Sequence, residues 1–403
     1  MINVVLDLKT GIGVSSLSDD FAAGAQAAKQ AMDSVRAAPD LLIVFAAPKF
    51  RHQKMLDGIS SITKKIPMIG GTTAGEISSY GLSVDSVVVL ALKSKDIKFY
   101  VGMGNGIGKS EEKAGRQLAN SVYKKGARKT AKTLVMLPDG LAGDGLKIIK
   151  GAQQVLGEDF EIVGGSLGDE DKFKQTFQYF NGKAYNDVVV GVLICSNKIT
   201  TASGVRSGWE SVGPRFRCTS SKVNVVYKFG DKTALEVYTE FLGQERAKKL
   251  PAIGLEYPIG MVDEKAKIEG YDYFQIRCPL AVNKDDGSIT FAASIPEGKE
   301  VTLTYSSRNS IIRGSTLAAK QVQKTLGKSK PKLVLMFSCV ARKMVLGRRT
   351  NEEINSVRKV IGRNVPVFGF YTYGEIGPID KRIRSLKSTR WHNETVVLWT
   401  LGE

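Results

Sequence analysis

Short apolar runs alternate with alanine-rich amphipathic segments along most of the chain. That is the pattern of strands covered on both faces and lying between surface helices. The order recurs. A β-type run ("INVVLDL", 2–8; "IKFYVGM", 97–103; "VTLTY", 301–305) precedes a helical segment carrying "AAKQ" (27–30), "AGRQ" (114–117) or "AAKQ" (318–321). Each helix starts a few residues after a Ser or Asp suited to cap it. A buried strand follows ("LLIVFAA", 41–47; "TLVMLPD", 133–139; "LVLMFSC", 333–339), then a second helix around 53–64, 144–156 and 351–362. Next comes a glycine-rich turn: "PMIGGTTAGE" (67–76), "EIVGGSLGDE" (161–170) and "PVFGFYTYGE" (366–375). Another apolar strand closes each unit: "SVVVLAL" (86–92), "DVVVGVLI" (187–194) and "TVVLWTL" (395–401).

The pattern predicts an α/β protein of three β-α-β-α-β-β repeats forming layered, largely parallel or mixed sheets. The repeat glutamines fall at Gln30, Gln117 and Gln321, so the second interval is longer than the first by over a hundred residues. A β-rich insertion between repeats 2 and 3, roughly 196–300, accounts for the excess. Within it "SKVNVVYKF" and "SITFAAS" read as strands, "DDG" (285–287) as a hairpin turn and "TALEVYTEFLG" (233–243) as a helix ended by Gly243. The expected division is 1–200 for repeats 1 and 2, and 201–403 for the insertion (201–300) plus repeat 3.

Composition narrows the function classes. No stretch approaches the length and apolarity of a membrane span, and the start lacks a secretory signal pattern, so a cytoplasmic location is expected. Cys195, Cys218, Cys278 and Cys339 show no C-x-x-C spacing, and His52 and His392 are the sole histidines. No metal site and no cofactor are expected, and acid–base chemistry would fall to carboxylates, Tyr, Lys or Cys. The formal charge of +18, with basic clusters at 124–132, 324–332, 342–349 and 381–390, admits a polyanion partner. The clusters lie between predicted elements without an aromatic-rich motif, which favours a solvated surface over nucleic-acid binding.

Candidate chemistry concentrates in the third repeat. "GMGNGIGKS" (102–110) misses a phosphate loop because Met103 stands where the first glycine is needed, and it reads as a turn capping a helix through Ser110. Cys339 ends a strand, where ligands of open α/β sheets bind, and Arg342 follows. Cys339 is a candidate nucleophile without a nearby base, and Arg342 a candidate clamp for an acidic group. Glu76 and Glu375, with Asp169 read as their counterpart, leave the same turn, so each is a loop-pinning carboxylate, a partner for a ligand ammonium or a base. Tyr371, Thr372 and Tyr373 set the third turn apart as a candidate pocket wall. Trp209 either closes over a pocket or packs where the insertion begins.

Read together, "IVFAAPKF", "PMIGGTTAGEI", "VGGSLGDEDKF", "FQYFNGKAYNDVVVGVLI", "SGWESVGP", "KTALEVYTEFLG", "LMFSCVAR", "VFGFYTYGEIGP" and "HNETVVLWTLG" resemble, in order, the FIST family of sensory modules. The resemblance spans about residues 38 to 402 and includes the N- and C-terminal domains of the family. It implies a signal-transduction protein that binds small ligands, with amino acids the usual suggestion. Without a recognisable output segment, the chain is expected to act through a separate signalling protein. The residue-level expectation is a ligand site of Cys339, Arg342, Tyr371, Thr372, Tyr373 and Glu375, with no catalytic residue assigned. An enzyme using Cys339 or Glu375 on a small acidic substrate is the first alternative, and a nucleic-acid-associated basic protein the second.

Overall fold

A computed structural model describes residues 6–123, 128–268 and 271–403. Residues 2–5 of the predicted first strand and 124–127 of one basic cluster lie outside the described residues. Three α/β units and an insertion make up the rest, as the alternating pattern predicts.

Unit 1 runs through an opening strand (Leu8–Ser15), a helix (Asp20–Val35), a central strand (Leu41–Ala46) and a second helix (His52–Thr63). A loop strand (Met68–Thr72), a hairpin (Glu76–Ser78 with Gly81–Ser83) and a closing strand (Val87–Ser94) complete it. Unit 2 repeats the order from Lys98–Asn105 to Val188–Cys195, and unit 3 from Thr200–Arg206 to Val396–Gly402. Each unit forms a mixed sheet in the order opening, closing, central, loop strand, with only the central and loop strands parallel.

The hairpins are exchanged. The unit 2 hairpin extends the sheet of unit 1, the unit 3 hairpin that of unit 2, and the unit 1 hairpin that of unit 3. The three sheets thereby close into a pseudo-threefold ring. One core fills its centre, with Phe45, Leu90, Val135, Val163, Val190, Phe337, Phe370 and Trp399 buried from all three units. The helices cover the outer faces through separate cores.

The repeated alanine–glycine contacts do the same work in each unit, and the repeated glutamines do so in units 1 and 2. Ala27, Ala114 and Ala318 begin the "AAKQ"-type motifs. A Cβ added at Gly13, Gly104 or Gly204 would meet their carbonyl oxygens at 1.9, 1.9 and 2.2 Å, so glycine lets helix and opening strand touch. Gln30 and Gln117 accept from the backbone N–H groups of Val14 and Asn105 at 2.9 and 3.0 Å, satisfying the outer edge of the opening strands.

Two strand assignments from the sequence need correction. The first opening strand is Leu8–Ser15, which starts where the run 2–8 read as that strand ends. The third opening strand is Thr200–Arg206, which pairs with the closing strand from Thr200↔Gly402 to Arg206↔Val396. Glu300–Tyr305 instead pairs within the insertion. Both segments are short β-type runs upstream of a helix, and only pairing partners tell them apart. The insertion therefore enters after the first strand of unit 3. It folds as an eight-stranded sheet around Cys218, Phe229, Tyr238, Phe291 and Leu303. Its helix Ala234–Leu242 begins with a Thr233–Glu236 capping box and stops at Gly243, as predicted. Among the described residues no helix is long and apolar enough to cross a membrane.

Candidate functional site

The loops after the three loop strands hold one another through backbone hydrogen bonds. Tyr371 donates to the Gly75 carbonyl and Ala74 to that of Tyr371, at 2.8 and 3.0 Å. Ser166 donates to Gly374 at 2.8 Å, and Gly168 to Thr72 at 3.1 Å. With the backbone fixed this way, each side chain leaving a loop has a defined setting.

Glu76 and Glu375 occupy equivalent, fully buried positions. Glu76 accepts from the Thr73 and Ser86 hydroxyls, both at 2.6 Å. Glu375 accepts from the Thr372 hydroxyl at 2.5 Å, and from the Thr395 hydroxyl and N–H at 2.8 and 3.0 Å. Burial raises both carboxyls to about 7 against these hydrogen bonds. The unit 2 counterpart is Gln178, which corrects the alignment to Asp169. Gln178 pairs with Gly71 in the register where Glu375 pairs with Gly165 and Glu76 with Phe370. Gln178 also accepts from the N–H of Val188 at 3.4 Å, as Glu375 does from Thr395. The longer unit 2 loop had displaced the match. Asp169 is a loop anchor that accepts from the Lys174 and Gln175 N–H groups and from the Tyr373 hydroxyl. A neutral amide in one of three equivalent places marks the position as architectural.

The predicted residues divide into two groups and one outlier. Arg342 is wholly buried and bonds Glu353 at 2.7 Å. It also donates to Ser315 Oγ at 2.7 Å, Ile311 O at 3.1 Å, Ser338 Oγ at 3.2 Å and the Ser207 carbonyl. Tyr371 donates to the other Glu353 oxygen at 2.7 Å. All three guanidinium nitrogens are thus engaged by the protein, in a network tying the insertion's entrance to the helices of unit 3. Tyr373 turns toward unit 2, where Phe173 stacks on it at 4.5 Å. Cys339, Thr372 and Glu375 do come together. Cys339 pairs with Thr372 in register, and its N–H donates to the carbonyl of Thr395, the residue that holds Glu375.

Beside that group the structure places residues the sequence reading passed over. Glu394 is fully buried, and its carboxylate oxygens meet no N–H or O–H donor among the described residues, the weak Cys278 thiol being the donor that lies against them. The Asn393 Oδ1 and Tyr238 hydroxyl are also buried and unpartnered. The Cys278 thiol lies against Glu394. Burial pushes the Glu394 carboxyl well above its usual range, with the nearby Glu375 adding to the effect. Burial likewise raises the thiols of Cys278 and Cys339, the reverse of what an activated thiolate requires. Glu394 is sealed, and Asn393, Cys339 and Cys278 keep 3, 4 and 5% of their surface, so the cluster is almost wholly enclosed.

A threefold comparison of the residue before each closing strand would have flagged this place. Asp85, Asp187 and Glu394 share a left-handed backbone, with φ of 54°, 57° and 56°. Asp85 is well exposed, and Asp187 accepts from the Gly108 N–H at 2.6 Å. Only the third is a Glu, and only there does the insertion, with Cys278 and Tyr238, lie over it. The Asp187 contact also explains "GMGNGIGKS", since the protein's own carboxylate fills the place a phosphate would take.

The other candidates are packed. Trp209 lies among Ile276, Ile311 and Leu346 at the insertion's start. His52 meets the Tyr179 hydroxyl at 2.8 Å and His392 the Gly377 carbonyl at 2.9 Å, and burial lowers both imidazoles to about 4. Among the described residues no group of three or more His, Cys, Asp or Glu is arranged to hold a metal ion.

Comparison with known proteins adds the family. A model of the FIST N domain matches residues 40–232, and one of the FIST C domain matches 234–378. An uncharacterized protein of Mycobacterium bovis is 24% identical over 398 residues, covering 93% of this chain and 95% of that one. A second, from Mycobacterium tuberculosis, is 24% identical over 220 residues, covering 54% and 56%. Among solved structures, cyanuric acid hydrolase from A. caulinodans aligns over 98% of this chain and 99% of its own, with a TM-score of 0.40 and 7% identity. PurL from Thermotoga maritima aligns over 98% and 73%, with a TM-score of 0.22 and 11% identity. Likeness of this degree says nothing of chemistry.

Proposed function

This chain belongs to the FIST family, and we propose from that premise that it is a cytoplasmic sensory protein whose small ligand binds between unit 3 and the insertion. The family's domains are sensory domains that bind small ligands, which supports the sensory role. The observation that carries the placement is Glu394, a fully buried carboxyl without an N–H or O–H donor, close to the unpartnered Tyr238 hydroxyl and next in sequence to Asn393, whose Oδ1 is also unpartnered. A native interior rarely leaves such groups unsatisfied, because each loses its water without gaining a partner. A ligand bearing hydrogen-bond donors would complete them.

In this reading Glu394, Asn393 and Tyr238 contact the ligand, Cys339 and Cys278 line the approach, and Thr372 and Glu375 hold the floor. Arg342, Tyr371 and Tyr373 position the surrounding elements. Because the site joins the insertion to the ring, occupancy would change how the two pack and so alter the surface presented to a separate signalling protein. Amino acids and related metabolites form the starting panel.

A thermal-shift screen with amino acids, amines, carboxylates and nucleotides tests the reading, since a specific ligand must stabilise the folded state. At least one compound should raise the melting temperature of the wild type, and Glu394→Gln or Tyr238→Phe should lose that rise. Stabilisation untouched by both substitutions would place the site elsewhere.

A further inference from the structure

The chemistry of the unpartnered atoms selects a ligand class. Glu394 Oε1 and Oε2 and Asn393 Oδ1 accept hydrogen bonds, and the Tyr238 hydroxyl can do so as well. A second carboxyl, Glu375, lies close by. An α-amino acid or a dicarboxylate would also bring an anion, which needs a cationic or N–H-rich partner to enter a buried place. The cations flanking the cluster are engaged. Arg342 is bonded to Glu353, and Arg277 donates to the Ser294 and Ile276 carbonyls at 3.1 and 2.9 Å. Resting on the site proposed above, we infer that it takes a small cationic amine without a carboxylate, its ammonium held by Glu394, Asn393 Oδ1 and the Tyr238 hydroxyl.

The exchange is balanced by one proton. In the unliganded protein burial disfavours the Glu394 carboxylate and favours its protonated form. An entering R–NH3⁺ takes up the ionised carboxylate, and that proton leaves to solvent. The other groups around Glu394 are Glu375 on the exchanged hairpin, Cys339 at the end of the central strand and Arg342 after it, Tyr238 on the insertion helix and Cys278 between two insertion strands. Arg277, next to Cys278 in sequence, acts on His392. Burial raises the phenol and both thiols, so these stay neutral near pH 7. Glu375, near 7 itself, blurs the lower end of the dependence. Amine affinity therefore rises with pH wherever the unliganded Glu394 is protonated, by up to tenfold per unit, because a proton is then a product of binding.

The test uses the full-length wild type with n-butylamine and 1,4-diaminobutane as amine probes, leucine as the amino acid and butyrate as the carboxylate, at matched ionic strength. Thermal shift ranks them, and calorimetry in two buffers of different ionisation enthalpy counts protons. Expected are binding of at least one amine, no binding of leucine or butyrate, release of close to one proton per amine at pH 7, and weakening by on the order of tenfold to a hundredfold in Glu394→Gln. Tyr238→Phe removes only a hydroxyl and should weaken amine binding while leaving the unliganded melting temperature nearly unchanged, so a misfolded Gln variant would not blunt the test. Binding of leucine or butyrate that requires Glu394 would overturn the amine class and leave the site standing. Amine binding without proton release would overturn the exchange. Absence of binding by any probe, or binding indifferent to both substitutions, would overturn the inference, and in the second case the site with it.

Discussion

Replacing Arg342 with Ala separates its two roles, ligand clamp and scaffold. In the structure its guanidinium is wholly buried and bonds Glu353, Ser315, Ser338, and the Ile311 and Ser207 carbonyls. Alanine would strand the Glu353 carboxylate in a dry site, eased only by the hydroxyls of Tyr371, Ser315 and Ser338. Breaking a buried pair from one side costs about 3–5 kcal/mol. Unfolding entropy scales at about 2.1 cal/mol/K per residue, so a cooperative unit of 403 residues has about 0.85 kcal/mol/K. The loss should therefore appear as a melting temperature lower by about 4–6 °C. Differential scanning calorimetry without ligand reads it directly. Arg342→Met combined with Glu353→Met should recover part of the loss, because neither charge is then left alone. A clamp makes the opposite forecast, with near-normal stability and lost binding. A shift of Arg342→Ala below about 1 °C would refute the scaffold reasoning.

Two further outcomes follow from the buried carboxyls and thiols. Glu76 and Glu375 lie near 7 when folded against an ordinary 4.5, so between those pH values the unfolded chain has released protons that the folded chain keeps. Stability therefore falls as pH rises from about 4.5 to 7, by on the order of 3 kcal/mol per group. Denaturant titrations across that range should show the decline, and Glu76→Gln and Glu375→Gln should each flatten it while folding normally, as Gln178 does in unit 2. Cys339 and Cys278 should label with iodoacetamide at far below one equivalent in the native protein at neutral pH, and fully after denaturation. Fast, stoichiometric native labelling of Cys339 would revive a thiol enzyme.

The repeat was legible because helix and strand contacts within a unit impose local residue choices. Gly13 under Ala27 and Gln30 on Val14 recur as Gly104 with Ala114 and Gln117 on Asn105. The exchange of hairpins was not, since each hairpin is followed in sequence by the closing strand of its own unit while its partner strand lies in another. Position 178 was misassigned for a related reason. The residues that lengthen the second loop carry their own carboxylate, Asp169, near the expected place, and only strand register separates it from Gln178. For the site, Cys339, Thr372 and Glu375 were found at the strand ends. Arg342 looked available because its partner Glu353 lies on the next helix, and no local pattern announces a buried pair. Glu394 stayed hidden because its burial comes from Cys278 and Tyr238, over a hundred residues away in the insertion.

A crystal structure of the chain with the amine that stabilises it most tests the central claim directly. Ligand density is expected within hydrogen-bond distance of Glu394 and Tyr238, with the Arg342–Glu353 pair intact. Density beside a released Arg342 guanidinium, with Glu394 still enclosed and unpartnered, would contradict it.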